Sequence, residues 1–319
     1  MLFWKSKRPS SNKEHGVGRP SILTKADDNL ASKNSDADME LPLKAADSDF
    51  DGRFREIISD PINILIDRVP KAGCVSGELV MLHNGLQVPI GNSHAYAGDF
   101  SRILIYNRGV HEPLEEFVFQ EVLKLMPNAP IMLELGSYWA HYSMWLKIRR
   151  QSACLIMVEP ETIYLEVGRS NFARNDLAGE FIQDFVDVGR FEVDKFFRSR
   201  AFKYLDILHV DIQGFEEEML VGAEDTLKRH LVDHIFISTH SQKKHLHVAD
   251  QLKRLGYRLE ISSDFDSHST SNDGFIYASN PANRPTFPNF RPLGRTEIVA
   301  SSSKEILRNM IAVNQYTNS

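Results

Sequence analysis

The stretch Ile131-Met-Leu-Glu-Leu-Gly-Ser-Tyr-Trp-Ala-His-Tyr-Ser143 decides the fold class of this 319-residue chain. It begins as a short apolar run, typical of a buried strand, and a helix is predicted directly after it at 139–150. Gly136 at the junction permits a close backbone approach and a positive φ. Because ligands of open α/β sheets bind at the carboxyl ends of the strands, we expect a ligand at this loop.

Strands and helices alternate regularly on either side of this junction. The predicted strands are 131–135, 153–158, 180–186, 206–211, 234–239, 257–262 and 274–278, and the predicted helices are 139–150, 161–175, 191–199, 215–230 and 242–255. This alternation predicts an α/β fold with a mostly parallel sheet covered by helices on both faces. Only 263–273 joins the last two strands, which predicts a final antiparallel hairpin and a seven-stranded sheet.

The chain is predicted to have four regions. Residues 1–50 form a polar leader that we expect to be mostly disordered, and 51–110 form a small module containing a β-hairpin with its turn at His83-Asn84-Gly85. The main domain covers 111–280, and a tail follows at 281–319 with a short amphipathic helix at 304–313.

Composition and charge exclude several classes of protein. The net charge of −6 argues against a general nucleic-acid binder, which normally has a basic surplus. No apolar run is long enough to cross a bilayer, and Met1–Arg8 is not followed by the apolar stretch of a secretory signal, so a cytoplasmic location is expected. Cys74 and Cys154 have no metal or redox spacing, and Cys154 is expected to be a small core residue. The oligomeric state is left open, a homo-oligomer included.

The second predicted strand ends at Glu159, 23 positions after Gly136. A carboxylate at this spacing can accept both ribose hydroxyls of an adenosine group, although an acid at a helix N-terminus is the structural alternative. A nicotinamide dinucleotide would require G-x-G-x-x-G in the first loop, and Tyr138 lies where a second glycine is needed. S-adenosylmethionine has no phosphate, so a bulkier loop can bind it.

At this point a family resemblance is visible. Residues 110–280 resemble the FkbM-type methyltransferases through segments in a specific order and spacing. These segments are Glu134-Leu-Gly-Ser-Tyr-Trp-Ala-His-Tyr-Ser143, Val158-Glu-Pro-Glu161, Val193-Asp-Lys-Phe196, Leu205-Asp-Ile-Leu-His-Val-Asp-Ile-Gln-Gly214 and Ile237-Ser-Thr-His-Ser241. The resemblance implies the class I (Rossmann-like) seven-stranded methyltransferase sheet, S-adenosylmethionine as donor, and oxygen methylation of sugars, polyketides or similar hydroxylated compounds.

Two departures from the family pattern concern the site. The first loop of the family usually reads Asp-x-Gly-Ala-Asn-x-Gly, whereas Glu134, Tyr138 and Ala140 replace its Asp, Asn and second Gly here. The fourth-strand pattern Asp-x-Glu-Gly contains Gln213 in place of the acid. An amide cannot act as a base, so no role of that carboxylate is inherited.

The expected cofactor site combines the first loop with the ends of the following strands. It consists of Glu134, Gly136, Ser137, Tyr138, Tyr142, Ser143, Glu159, Gln183, Asp184 and Asp211.

Methyl transfer to a hydroxyl needs alignment of donor and acceptor and a group that accepts the proton. His240, directly after the fifth strand, is the first candidate base because histidine titrates near neutral pH. Asp211, at the tip of the fourth strand, is the second; it could also bind the methionine amino group or orient His240.

Substrate contacts are expected from four residues, and from the connection 263–273 as a rim over the acceptor. The four residues are His141, Gln213, His111 and Tyr106. The fifth strand ends Ser-Thr-His-Ser without an acidic pair, and His245 and His247 do not share a helix face, so metal-independent transfer and no metal ligands are expected.

The sequence thus predicts an S-adenosylmethionine-dependent O-methyltransferase that acts on a hydroxyl of a sugar, polysaccharide or secondary metabolite. The alternative is a catalytically weak methyltransferase-like protein that binds a glycan or protein partner. A nicotinamide oxidoreductase is disfavoured by the missing glycines. Nucleic-acid methylation is disfavoured by the acidic balance and by the absence of an Asn-Pro-Pro-Tyr-type loop.

Overall fold

A computed structural model describes residues 50–91, 93–288 and 290–317 of the chain. The predicted disordered leader, apart from Phe50, lies outside the described residues. Within the described ranges, no helix is both long enough and apolar enough to span a bilayer.

Strands and helices alternate through most of the described chain. The strands are β1 Val75–Ser76, β2 Leu79–Met81, β3 Gln87–Pro89, β4 Ile131–Leu135, β5 Cys154–Val158, β6 Glu180–Ile182, β7 Leu205–Val210, β8 Val232–Thr239, β9 Arg258–Ser263 and β10 Gly274–Ser279. The helices are α1 Phe50–Ser59, α2 Ile103–Tyr106, α3 Pro113–Leu125, α4 His141–Arg149, α5 Thr162–Arg174, α6 Val193–Arg200, α7 Glu216–Gly222, α8 Glu224–Lys228, α9 Gln242–Arg254, α10 Arg295–Ala300 and α11 Ser303–Thr317. Two 3₁₀ helices, Pro61–Leu65 and Gly98–Arg102, precede α2.

The main sheet has seven strands in the order β6-β5-β4-β7-β8-β10-β9. The strands from β6 to β8 are parallel, and β10 pairs antiparallel with both β8 and β9. The predicted seven-stranded sheet with helices on both faces and a final antiparallel hairpin is therefore confirmed. The chain runs outward from β4 to β6 and then returns to β7 beside β4. The carboxyl ends of β4 and β7 thus form the switch point at which ligands of such sheets bind.

Alternating side chains of the central strands enter two different hydrophobic cores, one on each face of the sheet. Leu133 and Ile156 lie in the core beneath α6 to α9, whereas Met132 and Phe236 lie in the opposite core. The second core also contains residues of the hairpin module, including Leu82. Since burying a large aliphatic side chain contributes about 1.5–3 kcal/mol, the module and this face of the sheet stabilise each other.

The helix predicted at 215–230 is two helices, α7 and α8, separated at Ala223. The reason is a side chain from α6: the Asp194 carboxylate accepts hydrogen bonds from the backbone N–H groups of Asp225 (2.9 Å) and Thr226 (2.8 Å). It caps a helix start that the apolar pattern does not reveal.

Three other differences from the sequence expectation occur at element ends. Strand β6 stops at Ile182, and only an isolated bridge between Val186 and Phe191 continues its direction. Helix α11 exceeds the predicted 304–313 and buries Met310 in the core. The expectation for Cys154 is wrong: it is the first residue of β5 and is exposed, because an apolar pattern does not ensure cover at the margin of a sheet.

Candidate active site

The loop between β4 and α4, residues 136–140, is called the donor loop below. Gly136, Tyr138 and Ala140 all have positive φ, at 75°, 40° and 59°. The N–H groups of Gly136 and Ser137 donate to the carbonyl oxygen of Val158 at 2.8 and 3.1 Å, which ties the loop to the end of β5. A left-handed conformation costs a non-glycine residue about 1–2 kcal/mol. Tyr138 and Ala140 replace the asparagine and the second glycine of the family pattern, and both replacements therefore lie where asparagine and glycine would be less strained.

Glu159 follows β5 and lies against the donor loop. Its Oε2 accepts the N–H of Tyr138 and its Oε1 accepts the N–H of Glu161, both at 3.1 Å. Burial raises the pKa of the Glu159 carboxyl above its ordinary value, and these two hydrogen bonds oppose the rise. The carboxylate anchors the loop, and its remaining lone pairs stay available to a ligand.

Two buried polar atoms beneath the donor loop have no hydrogen-bond partner among the residues described. They are Oε2 of Glu134 and Oγ of Ser137. Burial raises the pKa of Glu134 to about 7. Since buried polar atoms are normally paired, this pocket of unsatisfied oxygens indicates a place for a hydrogen-bond donor.

The two candidate catalytic residues lie together at the ends of β7 and β8. Nε2 of His240 is 3.1 Å from Oδ1 of Asp211 and 3.6 Å from Oδ1 of Asp273, while Nδ1 is 2.6 Å from Oε1 of Glu216. These four residues are called the His240 cluster. Sequence reasoning placed Asp211 and His240 near each other but did not include Glu216, and it regarded Asp273 only as part of the rim.

This environment changes the expected role of His240. Burial lowers the pKa of its imidazole, but the hydrogen bonds and charges of Asp211, Glu216 and Asp273 outweigh burial and raise the pKa to about 11. This pKa disfavours His240 as the base that the sequence predicts, because the ring is then protonated at neutral pH; the identity of the base stays a prediction. For Asp211, burial alone would raise the pKa, yet His240 holds it below the ordinary value.

Gln213 supports this cluster as a hydrogen-bond donor. Its Nε2 donates to Oδ1 of Asp211 at 3.1 Å, from a backbone with φ of 50°. The family pattern has an acid at this position, and here an acid, Glu216, follows three residues later. Glu216 accepts the N–H of Gly214 at 2.9 Å and contacts His240.

Gln183 and Asp184 follow β6 at the same edge of the sheet as Glu159. Nε2 of Gln183 donates to Oγ1 of Thr162 at 2.7 Å, and Asp184 forms an ion pair with Arg190 at 3.4 Å. Both side chains stabilise the loops around a prospective adenine position, and their contact with adenine stays a prediction.

Three of the residues predicted to bind substrate lie elsewhere than expected. His111 and His141 are 3% and 1% exposed, inside a buried cluster on the hairpin side of the sheet. Tyr106 is an exposed residue whose contacts are with Phe54 and Arg102 rather than with the strand ends. The sequence placed Tyr106 and His111 near the acceptor as part of the segment before Pro113, and His141 as the start of the helix after the first strand, but spacing alone does not show which way a side chain points.

Sequence reasoning missed the buried acids at the start of α3. Oε1 of Glu115 is 2.7 Å from Nε2 of His209, and Ser238 Oγ donates to its other oxygen at 3.1 Å. Burial raises the pKa of Glu115 well above its ordinary value and lowers the pKa of His209 below its ordinary value, which favours the uncharged form of each group. Tyr142 Oη donates to Oε2 of Glu112 at 3.2 Å. The signal that could have revealed these acids is the run His111-Glu-Pro-Leu-Glu-Glu116 at the start of an otherwise apolar helix.

A small pocket opens beside these acids, between the start of α3 and the β9–β10 connection. Its lining is mainly polar and includes Glu112, Glu115, Thr270, Ser271 and Asp273. The rim predicted at 263–273 thus faces the first turn of α3, and Asp273 belongs to both the pocket and the His240 cluster.

Comparison with known proteins gives one family. The model of the methyltransferase FkbM domain matches residues 131–259, which run from the start of β4 into β9. No curated protein matches the chain at a significant level.

Several solved structures are similar to part of the chain. Precorrin-6y C5,15-methyltransferase from Geobacter metallireducens GS-15 is 15% identical, with a TM-score of 0.39 over 51% of this chain and 87% of that chain. An O-methyltransferase from Bacillus cereus, in complex with SAH, is 14% identical with a TM-score of 0.39, over 52% and 80%. TrmK from M. capricolum, in complex with S-adenosyl-homocysteine, is 11% identical with a TM-score of 0.38, over 63% and 96%.

The domain match, the strand order and the donor loop at the switch point agree with one another. They confirm the resemblance noted in the sequence and the cofactor that it implies. Residues 131–259 are an S-adenosylmethionine-dependent methyltransferase domain of the FkbM type.

Proposed function

We propose that this chain transfers the methyl group of S-adenosylmethionine to a hydroxyl of a sugar, polysaccharide or secondary metabolite. The observation that carries the proposal is the position of Asp211. Its side chain is 34% exposed and lies at the switch point, ion-paired with His240 and directly beside the donor loop. An acceptor hydroxyl at this place would meet the bound donor and a carboxylate together.

The polar groups in and beside the donor loop suit the polar groups of S-adenosylmethionine. The unpaired oxygens of Glu134 and Ser137 suit the ammonium group of the methionine part, and Glu159 suits the ribose hydroxyls. When bound, the cofactor supplies an electrophilic methyl group on a sulfonium. The loop has no room for the second glycine turn that a pyrophosphate needs, because Tyr138 is held there by hydrogen bonds between its hydroxyl and the backbone of Ala95 and Ala97.

We assign proton acceptance to Asp211 and positioning to His240. Asp211 would accept the proton of the acceptor hydroxyl while the hydroxyl oxygen bonds the methyl carbon; the carbon–sulfur bond of the sulfonium would break in the same step, and S-adenosylhomocysteine would leave. The imidazolium of His240 keeps Asp211 ionised until that step and fixes its direction, and Glu216 and Asp273 hold the imidazolium in place. A positioned base contributes about 10²–10⁴-fold to such a step.

The lining of the small pocket supports a hydroxylated acceptor. Burial raises the pKa of Glu112 to about 8, so this carboxyl is protonated at neutral pH and can donate as well as accept hydrogen bonds, and burial shifts the pKa of Glu115 in the same direction. Thr270 and Ser271 add hydroxyls. Protonated Glu112 and these two hydroxyls offer donors and acceptors that suit a sugar, beside the carboxylate of Asp273.

The first test is calorimetric titration with S-adenosylhomocysteine and, separately, with NAD. We expect micromolar binding of the former and none of the latter. Glu159→Ala should abolish binding, whereas Glu161→Ala should bind normally, because Glu161 is an exposed neighbour whose side chain makes no capping hydrogen bond. Absence of S-adenosylhomocysteine binding in the wild type would exclude the proposal.

The second test measures transfer of labelled methyl to a panel of hydroxylated acceptors. Asp211→Asn should lower kcat by about 10²-fold or more while the affinity for S-adenosylhomocysteine changes little. The alternative of a glycan-binding or partner-binding protein predicts cofactor binding without transfer to any acceptor. The observation that favours this alternative is the left-handed backbone of Tyr138 and Ala140, which strains the loop where the cofactor would bind.

A further inference from the structure

Three side chains from three separate elements meet in the buried region on the hairpin side of the sheet. His83 comes from the turn between β2 and β3, Glu116 from the first turns of α3, and His141 from the start of α4. They are 1%, 0% and 1% exposed. One ligand atom of each lies within 4.8 Å of the others. These three residues are called the His83 cluster.

The atoms that face one another in this cluster are unsatisfied among the described residues. Nε2 of His83, Oε2 of Glu116 and both ring nitrogens of His141 have no partner with hydrogen-bond geometry. Nε2 of His83 is 2.9 Å from Oε2 of Glu116, and Nε2 of His141 is 4.0 Å from the same oxygen. A buried unpaired polar atom costs about 1–3 kcal/mol, so several of them at one point indicate a missing partner.

The outer contacts of the cluster orient these atoms inward. Nδ1 of His83 lies 3.3 Å from the carbonyl oxygen of Asp67, which places the proton on Nδ1 and leaves the lone pair on Nε2. Oε1 of Glu116 accepts the N–H groups of His111 (2.7 Å) and Glu112 (3.0 Å), which leaves Oε2 free. Metal-binding histidines typically donate their second ring N–H to a backbone carbonyl in this way.

We propose that His83 Nε2, His141 Nε2 and Glu116 Oε2 bind one divalent transition-metal ion of the zinc class. Two imidazoles and a carboxylate are a ligand set that Zn²⁺ accepts and that Mg²⁺ and Ca²⁺, which prefer oxygen, do not. A tetrahedral site with bonds of about 2.0–2.1 Å separates its donor atoms by roughly 3.3–3.4 Å. The distances from Oε2 of Glu116 to the two imidazole nitrogens, 2.9 and 4.0 Å, lie on either side of this value. His111, whose Nδ1 is 2.5 Å from Oε1 of Glu116, is a further nitrogen ligand atom beside the cluster.

The ion would have a structural role. It joins the hairpin module to α3 and to α4, and His141 directly follows the donor loop, so the ion fixes the end of that loop. Its ligands include neither Asp211 nor His240, and the inference is independent of the proposed methyl transfer. The competing occupant is a set of protons shared between Glu116 and the surrounding imidazoles.

Metal analysis of the full chain, purified without a polyhistidine tag, tests the proposal. We expect about one equivalent of zinc, or of a similar transition metal, per chain. His83→Ala and His141→Ala should lower this content at least tenfold. The matched control is His245→Ala, which removes a histidine that is equally buried but is hydrogen-bonded on both nitrogens, to Thr239 and Ser262. A metal content that the two cluster variants leave unchanged would overturn the proposal.

A second measurement uses the wild type alone, in case the variants fail to fold. The chain is stripped with a chelator and titrated with Co²⁺ or Zn²⁺. We expect stoichiometric uptake, visible d–d absorption with Co²⁺, X-ray absorption showing nitrogen and oxygen but no sulfur around zinc, and a Tm that rises on reloading. A stripped chain that takes up neither ion at micromolar concentration and keeps its original Tm would show that protons alone fill the cluster.

Discussion

A Cβ added to Gly136 would lie 1.7 Å from the carbonyl oxygen of Asp211 and 2.7 Å from its carbonyl carbon. The donor loop and the residue after β7 are therefore in close backbone contact at this point. This contact places the proposed cofactor site next to Asp211, the proposed proton acceptor.

Gly136→Ala should be among the most destabilising single substitutions in the domain. The φ of 75° adds strain to a steric overlap with backbone that cannot move without separating β4 from β7. We expect a loss of more than about 4 kcal/mol in the free energy of unfolding, or failure to fold. Gly189→Ala is the matched control, since Gly189 has φ of 87° with nothing within 4 Å of an added Cβ, and should cost only about 1–2 kcal/mol. Equal losses in denaturant unfolding would contradict the role given to the Asp211 contact.

His240 should stay protonated at pH 8. Its imidazole ¹⁵N chemical shifts, followed by NMR from pH 6 to pH 10, should remain those of an imidazolium, because Asp211, Glu216 and Asp273 raise its pKa to about 11. A titration midpoint near the ordinary value of 6.5 would restore His240 as a candidate base.

The same shift predicts how stability depends on pH. Because the folded pKa of His240 is raised, its contribution is complete below pH 6.5 and is lost progressively as the pH rises toward 11. The free energy of unfolding of the wild type should therefore fall more steeply between pH 7 and pH 10 than that of His240→Gln. Parallel curves would show that the imidazolium does not contribute.

The α7–α8 break depends on Asp194. Asp194→Ala removes both hydrogen bonds to the start of α8 and should lower the free energy of unfolding by about 1 kcal/mol, the usual value of a helix N-cap. Asp194→Asn keeps an oxygen acceptor and should recover most of this loss. If Asn behaves like Ala in thermal unfolding, charge rather than capping is the main contribution.

Both cysteines should react with a thiol reagent in the folded protein. Cys74 and Cys154 are exposed, so we expect two fast-reacting thiols per native chain without denaturant. A single fast thiol, with Cys154→Ser leaving that signal unchanged, would indicate that the start of β5 is covered after all.

The positions of the main-sheet strands could be predicted from sequence because each strand is a compact apolar run beside a turn or a helix. Strand β4 was placed at its observed bounds, and Glu159 and Asp211 were placed at the ends of the strands that they follow. The donor loop was recognisable because Gly136 lies between an apolar strand and a predicted helix, where a positive φ is expected. The sequence pattern is sufficient to predict those elements whose structure depends on local periodicity.

The remaining features depend on contacts between distant segments. The protonation of His240 requires Glu216 and Asp273, which come from the start of α7 and from the connection between β9 and β10. The His83 cluster requires a turn, α3 and α4 to meet, and no spacing in the sequence indicates that they do. Likewise, the break at Ala223 is set by a carboxylate about thirty positions earlier. Spacing predicts which residue types are present, but topology decides which charges a buried group meets.

The position of β10 between β8 and β9 sets the smallest fragment of this protein that can fold. A fragment cut to the matched residues 131–259 would contain the first two residues of β9 and all of β8, but not the strand that pairs with both. It would also lack Phe117 and Phe119, which cover one face of the sheet from α3. An expression fragment designed on the recognised domain boundaries would present an open sheet edge and an uncovered apolar face, both of which promote aggregation. Soluble fragments should therefore extend from the hairpin module through β10, well beyond the segment that the family pattern recognises.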